Sequence, residues 1–74
     1  MDATGRHPGT AHIARHFEYE HLPEHLATVS RLFHDLAQEL LDILPDGPEL
    51  TVGLRKLLEA KDCAVRARLS ARES

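Results

Sequence analysis

Six histidines fall within the first 34 residues, and four of them form pairs four apart: His12 with His16, and His21 with His25. On a helix that spacing sets two imidazoles on one face, an arrangement that can hold zinc. The rest of a donor set is missing. Pro23 separates His21 from His25, and no cysteine or carboxylate pattern completes either pair. No metal or other cofactor is expected. Cys63 is the only cysteine, Gly47 and Gly53 do not form a phosphate-cradling loop, and no acid pair marks a cleft. The expectation is a protein without catalysis. The basic and aromatic residues offer a different chemistry. Guanidinium groups fork onto phosphate oxygens, and aromatic rings stack on bases. A few arginines beside Phe17 and Tyr19 suit a small nucleotide better than a long polymer.

Those residues need a scaffold, and the sequence supplies a helical one. Pro23 and Glu24 suit a helix start, the proline because its missing N–H is not needed there and the glutamate because it faces the positive end of the dipole. Leu26, Val29, Phe33, Leu36, Leu40 and Ile43 then recur at intervals of three and four, the seam of a helix packed on another helix. Leu32, Ala37, Leu41 and Leu44 widen the stripe beyond what one partner helix covers, so a second contact surface is expected. "PDGP" at 45–48 stops this helix and opens the next, with Asp46 or Gly47 as cap and Pro48 in the first turn. So short a link makes the helices antiparallel neighbours. The fold class expected is all-α: a helical hairpin with helices at about 23–44 and 48–69, forming a domain over 17–71. Residues 1–16, rich in Gly, His, Thr and Pro without a sustained period, read as a flexible leader. "FEYEHL" at 17–22 reads as a short extended segment or turn lying across the hairpin.

In such a hairpin, positions whose numbers sum to about 92 lie level with each other. His34 falls opposite Leu58, Arg31 opposite Lys61, and Arg55 about one turn away. These cations can converge at mid-hairpin if their faces agree, with Arg66 nearer the end that carries Phe17 and Tyr19. The competing reading pairs Arg31, Lys56 and Arg66 with Asp35, Glu59 and Asp62 on solvent faces, and spacing alone favours it. Lys61 is the oddest of the set, since it interrupts the apolar stripe of the second helix.

Seventy-four residues make one domain at most, and a chain this short is marginal alone. A single cysteine rules out an intrachain disulfide and fits a reducing compartment. No run of 18 apolar residues is present, so no membrane partner is expected, and "MDATGRHPGTAHIARH" lacks a signal core. A cytoplasmic location follows as the expectation. Oligomerisation is then the expected source of stability, because two helices enclose little core and one apolar face must find another chain. The net charge of −3 is unevenly spread. Residues 1–49 carry −6 and residues 50–74 carry +3, which allows a local anion site and argues against the extended basic face of a DNA- or RNA-binding protein.

"HLP" at 21–23, "FHDLA" at 33–37 and "LPDGPELTVGLRKLLEAKDCAVRA" at 44–67 resemble the helical-hairpin family of the phage anti-CBASS cyclic-nucleotide sponges. A related hairpin occurs in sponges that block Thoeris signalling, and the resemblance spans residues 17–69. It implies a bacteriophage or prophage protein, in the bacterial cytoplasm, that assembles as a homo-oligomer, typically a hexamer. Such a protein sequesters cyclic di- or trinucleotides, or cyclic ADP-ribose isomers, without cleaving them. The family's base-stacking tyrosine falls on Tyr19. Its phosphate-contacting lysine falls on His34, a departure, because a neutral imidazole carries no charge. Arg55 and Lys56 fall where the family has polar residues facing a second, three-fold pocket, and the family's "VRA" matches Val65, Arg66 and Ala67. The expected ligand-binding set is therefore Phe17, Tyr19, His34, Arg55, Lys56, Lys61 and Arg66. The alternative function is a small helical protein–protein interaction module of phage origin with no nucleotide ligand.

Overall fold

The computed structural model describes the backbone of residues 5–73 and the side chains of residues 5–71. Three α-helices and one 3-10 turn follow in order: α1 Pro8–Ala14, the turn Arg15–Phe17, α2 Glu24–Ile43 and α3 Pro48–Glu73. There is no strand among the described residues. α2 and α3 form the expected antiparallel hairpin. The molecule measures 42 × 20 × 18 Å, and its long dimension is that of α3, whose 26 residues span about 39 Å.

Local chemistry sets the helix ends. Pro23 serves as the N-cap of α2 rather than its first residue, and its carbonyl accepts from Leu26 and Ala27 N–H. Leu44 turns extended (φ −105°, ψ 144°) directly before Pro45, as the proline ring demands of the residue preceding it. The Gly47 carbonyl accepts from the Thr51 N–H at 3.2 Å, which makes Gly47 the entry to α3. α3 continues to Glu73, beyond the expected stop near Leu69. The 17–22 segment is the expected short connection: Glu18 is extended, and Leu22 N–H donates to the Tyr19 carbonyl to close a turn.

The main correction concerns the leader. Residues 8–17 are not an unstructured stretch; they are helical and supply the centre of the core. Residues 1–4 of that expectation lie outside the described residues. The His7 side chain caps α1 by accepting the Gly9 N–H at Nδ1 (3.0 Å), and Pro8 occupies the first turn. Thr10, Ile13, Ala14 and Phe17 then fall on one helical face and are buried, Phe17 completely. Full burial of a phenylalanine stabilises by roughly 1.5–3 kcal/mol. The hairpin thus finds part of its missing cover within its own chain.

Two cations fasten this element at opposite ends. Gly5, at φ +82° where only glycine is unstrained, leads into Arg6. The Arg6 guanidinium donates to the Leu44 carbonyl at 2.9 Å, to the Leu41 carbonyl, and to Asp46 Oδ1 at 3.0 Å. It satisfies the orphan carbonyls at the C-terminus of α2. At the other end Lys61 Nζ, from α3, donates to the His16 carbonyl in the 3-10 turn. Midway, the Thr10 and Thr51 hydroxyls share a hydrogen bond of 3.2 Å. Because these contacts pair early with early and late with late, α1 runs parallel to α3.

The docked element also moves the helix seam. The buried line on α2 is Ser30, Ala37 and Leu41, with Phe33 packed against it. Small residues there let the 3-10 turn and Phe17 approach closely. Leu36 and Ile43, expected in the seam, are 46 % and 75 % exposed. On α3, Leu50 and Leu54 are buried and Leu57 and Leu58 pack against them.

Candidate functional site

Two of the expected ligand-binding residues, Tyr19 and His34, meet beside the 3-10 turn. Phe17, buried beneath it, anchors the backbone so that the next residues lie against α2. There Tyr19 and His34 make an edge-to-face pair, with ring centroids 5.0 Å apart and planes at 71°. His34 Nδ1 lies 3.1 Å from Asp35 Oδ1. An ionised carboxylate can only accept, so Nδ1 carries the hydrogen and Nε2 is left as the reactive ring atom. The His34 side chain is 17 % exposed and that of Asp35 63 %. Glu18 lies close enough to His34 for their charges to interact, and Arg31 stands exposed one turn earlier on α2. Tyr19, His34, Asp35 and Glu18 form a ledge of two rings and two carboxylates.

The remaining expected residues do not join this ledge. Phe17 is fully buried in the core and is not a stacking lid. Lys61 interrupts the apolar stripe because its stem packs inward, at 9 % exposure, while its ammonium holds the His16 carbonyl. Its role in this fold is that of a cap. Arg55 is exposed on α3, and Lys56 is exposed 4.0 Å from Glu59, the pairing that its spacing suggested. Arg66 is exposed and donates to Cys63 Sγ at 3.4 Å. Arg66 lies about 16 Å along α3 from Arg55. Of the four residues expected to converge at mid-hairpin, Lys61 holds the His16 carbonyl, while Arg31 and Arg55 are exposed.

Two further hollows lie among the described residues. One of about 700 Å³ at the hairpin turn is lined by Arg6, Asp46, Thr51 and Val52 among others, and its opposite charges are already paired. The other, about 360 Å³, is an apolar groove between α2 and α3, with Leu40, Leu44, Gly53, Leu57 and Ala60 in its walls and Lys56 among its lining residues. No α1 residue lines it, and on α2 the exposed Leu36 and Ile43 continue its apolar character. His12 and His16 do lie on one helical face, their ring centroids 5.4 Å apart. Among the described residues no third donor joins them or any other metal-ligating cluster. No described helix is long and apolar enough to cross a membrane. Sequence reasoning missed Arg6, whose place at the end of α2 had one local signal: the Gly5 that precedes it.

No protein-family model matches this chain, and neither a curated protein nor a solved structure matches it.

Proposed function

We propose that this protein binds and sequesters a small cyclic nucleotide signal and so blunts bacterial antiphage immunity, without catalysis. The observation that carries the reading is the Tyr19–His34 pair, an aromatic edge and a ring nitrogen held together on a ledge anchored by buried Phe17. A base can stack on Tyr19 while a phosphate meets His34 and Arg31. The resemblance of residues 17–69 to the cyclic-nucleotide sponges supports the same ligand class. Sequestration requires only affinity and copy number, because ligand held by the protein is removed from its receptor by mass action.

The reading includes self-association into a homo-oligomer, with a hexamer as the expected form. Leu32, Leu36 and Ile43 are 66 %, 46 % and 75 % exposed on one flank of α2, beside the apolar groove. A chain of this size gains from covering them. In an assembly, Arg55, Lys56 and Arg66 of neighbouring copies supply the cations that a single ledge lacks. The same flank favours the alternative, a helical module that docks on another protein.

Calorimetric titration with cyclic di-AMP, cyclic di-GMP, cyclic GMP–AMP and cyclic ADP-ribose isomers separates the two readings. Saturable binding, weakened at least tenfold by Tyr19→Ala with the fold intact by circular dichroism, supports sequestration. Failure of every nucleotide to bind refutes it and leaves the interaction module.

A further inference from the structure

We infer that His12 and His16 form a two-histidine site for a zinc-like divalent cation, which clamps the junction between α1 and the 3-10 turn. This site stands apart from the nucleotide reading. His12 lies in the last turn of α1 and His16 in the 3-10 turn, and both residues are exposed. Thr10, Ile13, Ala14 and Phe17 of the same element face the core. A cation on the outer face therefore meets both rings without disturbing the packing. His16 is also fixed through its backbone, because its carbonyl accepts from Lys61 Nζ.

The ring spacing fits a chelate. An imidazole nitrogen sits about 2.0–2.1 Å from zinc, which puts each ring centre about 3.2 Å from the metal. Two such rings at a tetrahedral angle have centroids about 5.2 Å apart, and at a right angle about 4.5 Å. The His12 and His16 centroids are 5.4 Å apart, with planes at 82°, which matches the tetrahedral case. Exposed rings can turn about χ2 to aim a nitrogen at one point. Water completes the coordination, and two imidazoles select zinc over magnesium, which prefers oxygen donors. His21 and His25 share the spacing but not the geometry, since Pro23, the N-cap of α2, ends the helix between them. A helix of seven residues does not persist undocked, so the pair is assembled only in the folded chain. The cation then stabilises the fold that presents it.

The test titrates the full chain, without an affinity tag, with ZnCl₂ by calorimetry, and then melts it with and without the metal. The expected result is saturable binding, with Tm raised by about 5 °C or more at ten times the measured dissociation constant. His12→Ala or His16→Ala should weaken binding at least tenfold while circular dichroism shows the fold intact. His21→Ala and Cys63→Ser should bind as the wild type does. Zinc should also slow hydrogen exchange in residues 11–17. Absence of saturable binding overturns the site, as does binding that survives in both His12→Ala and His16→Ala or is lost in Cys63→Ser or His21→Ala. An equal Tm rise with MgCl₂ overturns it too. Zinc binding without added protection of residues 11–17 overturns the clamp.

Discussion

Lys61 is where a ligand contact and a structural cap make opposite predictions. Lys61→Met keeps most of the buried stem and deletes only the ammonium. The His16 carbonyl then loses its donor, and a hydrogen bond to a charged group is worth about 1.5–3 kcal/mol. Against this, the variant removes the cost of drawing an ammonium partly out of water. The bond from Nζ to the His16 carbonyl is only partly buried, so hydration is lost only in part and the first effect is larger. The expected net loss is about 1–2 kcal/mol. A stable domain of this length has roughly 4–11 kcal/mol in total, and each kcal/mol shifts Tm by about 4–8 °C. Lys61→Met should therefore melt roughly 4–16 °C lower. Hydrogen exchange locates the loss: the amides of residues 11–17 should lose protection while those in the centre of α2 keep it. An unchanged Tm with those amides still protected would refute the cap. If the same variant also bound nucleotide much more weakly, Lys61 would return to the ligand set.

Arg6→Ala should lower stability by about 1 kcal/mol, read from urea denaturation, because the Leu41 and Leu44 carbonyls lose their donor and Asp46 loses its partner. The loss should fall on the hairpin turn, seen as faster exchange of the last α2 amides. Ile43→Asp or Leu36→Asp should leave the fold within about 0.5 kcal/mol, since both side chains are exposed in the single chain. Either should shift the mass measured by light scattering toward the monomer, and an unchanged mass would mean that this flank is not the assembly surface.

The hairpin was legible because its signals are local. A proline before a three-and-four stripe, a tight PDGP link and a second stripe fix two antiparallel helices whatever else the chain does. α1 was obscured by composition. Its buried face is Thr10, Ile13, Ala14 and Phe17, and threonine and alanine carry little hydrophobic signal in a run that also holds three histidines, a glycine and a proline. Its stability comes from docking rather than from propensity, as expected for a helix of seven residues. In the candidate site, Tyr19 and His34 were both named from the sequence, and the structure brings their rings together.

By itself the sequence determined the helical hairpin, its turn, and the residue types able to meet a phosphate and a base. Only the tertiary structure decided which of those residues are available. Phe17 and Lys61 have the chemistry of ligand contacts, but Phe17 is drawn into the core and Lys61 is spent on a helix end, while His34 stays partly exposed beside Tyr19. The reason is that side-chain chemistry is written residue by residue, whereas burial and hydrogen-bond partners depend on a short helix far away in sequence settling onto one flank of the hairpin and leaving the other uncovered.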